Sequence, residues 1–260
     1  MRYSANINGI DVSAYYSERT IRDLLIPLLK QLSEMHTEKR RRIVVMLAAP
    51  PGAGKSTLVS FLEVLAKENI PDKKLLAVGM DGFHRRQEYL LSHTVQVNGS
   101  EIPMVNIKGA PETFDLEALK KKIAEVAEGH LCRWPRYDRL LRNPVEDAIT
   151  IDADIVLLEG NYLLLDMDGW RELSAYADYT ISLSANVGLL RERLIERRTA
   201  TGVERENAEK FVDFSDMANV RLCLAKTKKA DLELEVVEDD NEIRQKNMRG
   251  GEPCENRYHL

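Results

Sequence analysis

The stretch Ile43-Val44-Val45-Met46-Leu47-Ala48 is apolar without interruption and empties into Ala49-Pro50-Pro51-Gly52-Ala53-Gly54-Lys55-Ser56-Thr57. A run of this kind, without alternation, describes a strand buried on both faces, as in a parallel sheet. Leu58, Phe61, Leu62 and Leu65 then recur at helical spacing. Strand, glycine-containing turn and helix in this order make a phosphate-binding loop. Small residues let successive backbone N–H groups converge, the helix adds the positive end of its dipole, and a lysine adds mobile charge. The pattern G-x-x-x-x-G-K-[ST] is complete at Gly54, Lys55 and Ser56, and Ala49 stands where its first glycine would be.

With 260 residues, 44% of them hydrophobic, the chain can bury one substantial core and needs no division into domains. A net charge of −5, with basic residues scattered except at Lys39-Arg40-Arg41-Arg42, excludes a broad basic surface for nucleic acid. That run fits the end of a helix and the entrance of a strand. Cys132, Cys223 and Cys254 lie far apart, which argues against a zinc site or disulfide framework and fits a reducing cytoplasm. The N-terminus lacks a signal-peptide pattern, and no run approaches the ~18 apolar residues of a membrane span. The expectation is a soluble cytoplasmic protein with a small-molecule substrate, no nucleic-acid partner and no membrane partner; a homodimer is left open.

Asn8-Gly9 inside the alternating residues 3–12 predicts a β-hairpin, and Ile21, Leu24, Leu25, Leu28, Leu29 and Leu32 predict an amphipathic helix. Residues Lys74 to Met80 read as a second buried strand that ends at Asp81-Gly82-Phe83-His84. Ligands gather outside the carboxyl ends of parallel strands, so Asp81 is either a general base for an acceptor hydroxyl or a helix cap. Residues 94–107 predict an inserted second hairpin around Asn98-Gly99, and Asp115 to Val126 predict a capped helix. Trp134 to Arg139 shows no period and reads as a loop that reaches ligand. A third buried strand, Asp154 to Gly160, places Glu159 either to hold a Mg²⁺-bound water or to end a strand at the surface. Asp178 to Leu183 predicts a fourth strand. In the helix Val187 to Arg198, the terminal arginines either form a lid over a transferring phosphoryl group or compensate the helix dipole. Leu232 to Val237 predicts the last strand, and the polar residues 238–260 are expected to fray.

Ala49 to Thr57, together with Met80-Asp81-Gly82-Phe83-His84, Lys108 to Asp115, Tyr137-Asp138-Arg139 and Leu157 to Leu164, resembles the phosphoribulokinase/uridine kinase/bacterial pantothenate kinase group. Within it, the chain is most similar to a nucleoside/nucleotide kinase-like branch that includes proteins named as fructose-transport kinases. The resemblance runs in order from about residue 42 to 237 and extends to Asn219 and Ala230-Asp231. It implies a P-loop NTPase fold, an α/β three-layer α/β/α sandwich with a mainly parallel sheet and a helical lid. That single domain would span residues 1–237, with the N-terminal hairpin and helix packed on it. The resemblance also implies an ATP-dependent kinase that transfers the γ-phosphoryl group to a hydroxyl of a small metabolite, with ATP and Mg²⁺ as cofactors. Pro51, Gly52, Ala53, Gly54, Lys55, Ser56 and Thr57 would bind nucleotide, Ser56 and Glu159 the metal. Lys55, Asp81, Arg193 and Arg197 would be catalytic, with Asp81 as base, and His84, Tyr137 and Arg139 would join Asp81 on the acceptor side. The competing class is a regulatory NTPase or GTPase-type switch. It needs a guanine-reading [NT]-K-x-D element, and Thr227-Lys228-Lys229-Ala230-Asp231 has the wrong spacing for one.

Overall fold

The computed structural model describes residues 1–237 and 242–246, apart from Asn8 and Asn98. The chain opens on a hairpin, β1 (Arg2–Ile7) against β2 (Ile10–Tyr15), followed by α1 (Glu18–Thr20), a π-helical turn over Ile21–Leu25 and α2 (Ile26–Lys39). Next come β3 (Ile43–Ala48), the phosphate loop, α3 (Lys55–Asn69), β4 (Leu75–Gly79), a 3-10 turn over Met80–Phe83 and α4 (Gln87–Ser92). A second hairpin, β5 (Thr94–Val97) with β6 (Ser100–Pro103), precedes α5 (Leu116–Ala127). β7 (Cys132–Asp138) and β8 (Asn143–Ile151) pair as a ribbon, and β9 (Ile155–Gly160) and β10 (Tyr179–Ser184) follow. The helices α6 (Val187–Thr199), α7 (Arg205–Phe211) and α8 (Met217–Lys226) lead to β11 (Leu232–Val237) and β12 (Glu242–Gln245).

The central sheet runs β12-β11-β10-β3-β9-β4, with every neighbouring pair parallel except β11 and β12. Its middle strands are apolar on both faces because both faces are covered. Ile43, Val45 and Leu47 of β3 join a core with Leu28 and Leu29 of α2, Phe61 and Leu62 of α3 and Leu194 of α6. Val44, Met46 and Ala48 face the opposite core, with Leu119 and Ile123 of α5, Trp134 of β7 and Tyr162. This is the three-layer α/β/α sandwich. Its strands end together beside the phosphate loop, since β3 is in register with β9 at Ala48↔Gly160 and with β10 at Ala48↔Ser182.

The basic run at 39–42 acts locally. Arg40 ends α2 in the left-handed conformation at φ 51°, and Lys39 and Arg41 both bind Asp178, at 2.8 and 2.5 Å. Arg42 donates to the carbonyls of Ala153 and His130, at 3.0 and 2.7 Å.

Two expectations need correction. Trp134 to Arg139 is not a loop: all but Arg139 belongs to β7, and a register shift between Trp134 and Arg136, with Pro135 between them, hides the alternation. Nor does the sheet stop at Val237. β12 adds an antiparallel edge strand through Val236↔Ile243, and its Glu242 accepts from the Ser17 and Thr20 hydroxyls. The rest of the expected tail, 238–241 and 247–260, lies outside the described residues.

Candidate active site

The phosphate loop hangs between β3 and α3. Gly54 is the N-cap of α3, with φ 89° and no side-chain cap, so the first-turn amides of Lys55, Ser56 and Thr57 have no intrahelical acceptor. A Cβ on Gly54 would meet nothing within 4 Å, so it is the positive φ that calls for glycine there. Gly52, at φ 84°, is pressed against the Leu190 carbonyl and Leu194, so α6 backs the loop. Arg193 of the same helix donates to the Gly52 carbonyl at 3.2 Å. Ala49, Pro51 and Ala53 are buried, which leaves Gly52 and the 54–57 turn as the rim.

Glu159 sits in β9 with only 6% of its surface exposed, and Ser56 Oγ donates to its Oε1 at 2.7 Å. Lys55 Nζ lies 3.9 Å from Oε2. The carboxylate therefore does not end a strand at the surface. Burial pushes the Glu159 carboxyl above its ordinary value, against the opposing pull of Lys55. Asp81 stands beside it at the end of β4. It caps no helix, because Gly79 holds the N-cap position of the 3-10 turn and α4 begins beyond Arg86. Burial alone would raise the Asp81 carboxyl, but His84, Lys55, Arg139 and Arg197 together outweigh it and hold the group below the usual carboxylate range.

The two carboxylates are kept together by missing side chains. A Cβ on Gly160 would fall 2.2 Å from Met80 Sδ, and one on Gly82 would fall 2.2 Å from the Pro135 carbonyl oxygen. Trp134 Nε1 donates to the Gly79 carbonyl at 2.9 Å, which fastens the ribbon to the end of β4.

His84 Nδ1 lies 2.9 Å from the Asp81 carbonyl oxygen. A carbonyl only accepts, so Nδ1 carries the proton. Burial lowers the His84 pKa despite the opposing pull of Asp81; in the neutral form of the ring, with Nδ1 protonated, Nε2 is an acceptor. The ring packs on Phe114 and Tyr137, with centroids 4.0 and 5.0 Å away.

The two arginines expected at the site separate. Arg197 is half-buried, with Arg139, Asp216, Arg198 and Asp81 near it, and burial depresses its pKa. Arg193 instead braces the loop backbone. Arg198 pairs with Asp216 at 3.0 Å and lies over the Phe211 ring, so it is structural. The helical cover is thus α6 to α8, of which only α6 was legible. Asp216 and Asn161 were not singled out from sequence, although Asn161 follows Glu159-Gly160 directly. Its Oδ1 is buried with no hydrogen-bond partner among the described residues. On the loop's other flank, Ser184, Ala185, Asn186, Glu235 and Val237 line a cleft of about 440 Å³ at the ends of β10 and β11.

The residues fit a magnesium nucleotide. Ser56 and Glu159 supply hard oxygen donors, and Mg²⁺ takes one or two such ligands plus phosphate and water. Among the described residues no cluster of three or more His, Cys, Asp or Glu exists that would hold a metal by itself. Asp231 of the 227–231 stretch accepts from the Thr180 amide and hydroxyl, at 2.9 and 2.6 Å, and so joins β10 to the start of β11.

Residues 44–243 match the family model of the phosphoribulokinase/uridine kinase family. The chain belongs to this family. It is 40% identical over 240 residues to the uncharacterized protein YggC of Escherichia coli K12, covering 92% of this chain and 97% of that one. It is 29% identical over 188 residues to a Schizosaccharomyces pombe protein named "Putative uridine kinase C227.14", covering 70% and 77% of the two chains. The solved structure of a "putative fructose transport system kinase" from Silicibacter sp. TM1040 superposes with a TM-score of 0.72 at 30% identity, covering 80% of this chain and 98% of that one. As a member of this kinase family, the chain is a phosphotransferase for a small molecule, with ATP and Mg²⁺ as cofactors. No helix among the described residues is long and apolar enough to cross a membrane.

Proposed function

We propose that the chain transfers the γ-phosphoryl group of ATP to a hydroxyl of a small metabolite, with Asp81 taking the hydroxyl proton. The observation that carries this reading is Asp81 itself, a half-buried carboxylate that the groups around it hold below the usual carboxylate range at the carboxyl end of a parallel strand. The acceptor oxygen attacks the γ-phosphorus as its proton passes to a carboxylate oxygen of Asp81. The bond from that phosphorus to the bridging oxygen breaks, and ADP leaves with the electron pair.

The loop from Pro51 to Thr57 cradles the phosphates with the amides of Gly52 to Thr57, and the Lys55 ammonium follows the charge from the β/γ bridge as it develops. Arg197 meets the transferred group from the helical cover. Arg193 acts one step back, by fixing the Gly52 carbonyl and with it the shape of the loop. Ser56 and Glu159 would hold Mg²⁺, which neutralises and aligns the phosphate oxygens. His84, Tyr137 and Arg139 line the side from which the acceptor approaches, with His84 Nε2 able to accept from a second hydroxyl. Because transfer of this kind needs little covalent chemistry from the protein, positioning and charge supply most of the acceleration.

The test is ADP release with ATP and Mg²⁺ across sugars, polyols, nucleosides, pantothenate and related vitamins, run beside Lys55→Ala. Acceptor-dependent release that the variant loses is the expected result. Nucleotide hydrolysis indifferent to every acceptor would replace this reading with a regulatory NTPase.

A further inference from the structure

Several cations on the phosphate loop and on the helix behind it have an acid within 4 Å. Lys55 faces Glu159, Arg198 pairs with Asp216 and Arg191 with Asp213. The wall that runs from Asp81 through His84 to Tyr137 differs. Lys108 Nζ lies there half-buried, 5.2 Å from the centre of the Tyr137 ring, held by Gln87 Oε1 at 2.8 Å and the Arg142 carbonyl at 3.0 Å. Both of those acceptors are neutral. Arg139 faces Asp81, His84 and Tyr137, and Arg142 bears on Tyr137 and Lys108.

Among the described residues, no ion pair joins a carboxylate to Lys108 or Arg142, while Arg139 has Asp81 and Glu159 near it. Asp138, their neighbour in the chain, turns its Oδ1 to the amides of Leu140 and Leu141, both at 2.9 Å. Burial and Arg142 push the Lys108 ammonium down to about 8, and the opposite pull of Glu88 is smaller. The chain carries 42 acids against 37 bases, so a shortage of carboxylates does not explain Lys108 and Arg142 standing without one on the same wall. A half-buried ammonium without a counter-charge is costly, and a bound anion removes that cost.

We infer that the acceptor carries an anionic group, a carboxylate or a phosphate ester, seated between Lys108 and Arg139 while its hydroxyl faces Asp81. This rests on the kinase reading above. Lys55 acts on Asp81 and Glu159, whereas His84 feels Lys108, so the cations continue away from the phosphate loop along the acceptor wall. The Tyr137 ring gives that wall a flat apolar face, which suits the carbon skeleton between the two polar ends.

The experiment uses the full chain with ATP, Mg²⁺ and matched acceptors that differ only in the anionic group: glycerate with glycerol, pantothenate with pantothenol, and sugar phosphates with their sugars. The anionic member of at least one pair should show a kcat/KM at least about tenfold above its neutral partner, the scale of a single charge-assisted hydrogen bond. The hydroxy-acid and sugar-phosphate arms separate carboxylate from phosphate. Lys108→Gln should shrink the ratio about tenfold, and Lys108→Arg should restore it. Because each ratio is taken within one preparation, a loss of folded protein cancels. Neutral members accepted as well as anionic ones, or a ratio that Lys108→Gln leaves unchanged, overturn the anion seat while the kinase reading stands. Failure of both members of every pair to accelerate ADP formation overturns the kinase reading, and the anion seat with it.

Discussion

Ser56 and Glu159 are hydrogen-bonded at 2.7 Å across 103 residues of chain, so the hydroxyl that opens α3 and the carboxylate that closes β9 share one small volume beside Lys55. On the proposed reading, a metal ion bound there would take oxygens from both elements. Glu159→Gln keeps the shape and the Ser56 contact but removes the charge. A Mg²⁺ titration of the rate should show a higher requirement for metal and a lower kcat. An unaltered titration would reduce Glu159 to a packing partner of Ser56.

Asp81→Asn retains size and removes proton affinity, so acceptor-dependent kcat should fall by about 10²–10⁴, with nucleotide affinity held. Since no helix is capped by Asp81, the variant should melt close to the parent. Near-normal phosphorylation by it would leave His84 Nε2 and Arg139 to explain the transfer.

Gly82→Ala places a methyl carbon 2.2 Å from the Pro135 carbonyl oxygen, and that oxygen belongs to backbone. The ribbon must shift, at a cost of about 1–3 kcal/mol as for overpacked cores. Because the same ribbon carries Tyr137 to its place, KM for the acceptor should rise more than KM for ATP. Equal changes in the two would show that the ribbon does not position the acceptor.

Asp178 is buried at the start of β10, where burial raises its carboxyl but the bonds from Arg41, Lys39 and the Val44 amide prevail and hold it below the ordinary value of 3.8. A depressed carboxyl contributes stability at neutral pH that disappears as pH falls through its folded pKa, below about 4. Asp178→Asn should cost about 1–2 kcal/mol at pH 7. It should also lose less further stability than the parent as pH falls below 4, where the parent's own carboxylate becomes protonated. Parallel acid-melting curves would contradict this.

The parts legible in the sequence are those whose signal is local. The β3 run needs no partner to be read as doubly buried, and Gly54-Lys55-Ser56 announces its amides within one turn. Glu159 is legible because the strand before it is apolar throughout. The ribbon is not, since Pro135 and the register shift break the alternation of β7, and Asp147, at φ 51°, interrupts β8. Lys108 is harder still. Its significance arises only where the turn after the second hairpin meets the ribbon tip, a meeting of residues 29 positions apart at Lys108 and Tyr137. The split between Arg193 and Arg197 is likewise invisible along the helix. Four residues apart, they lie near one face, yet one meets a loop carbonyl and the other the cleft.

The contact between Gly160 and Met80 divides the molecule by its tolerance of change. Met80 is wholly enclosed, so a single carbon added at Gly160 prises apart β9 and β4 and moves Asp81, the next residue in the chain, away from Glu159. The acceptor wall has no such constraint at its margins: Leu140 is 87% exposed at the ribbon tip, and a side chain at Gly99 would meet nothing within 4 Å. Sequence drift therefore has two different prices here. On the proposed reading, a lineage built on this framework changes which molecule it modifies by editing the ribbon tip and the inserted hairpin, whereas altering the transfer step itself requires repacking the sheet.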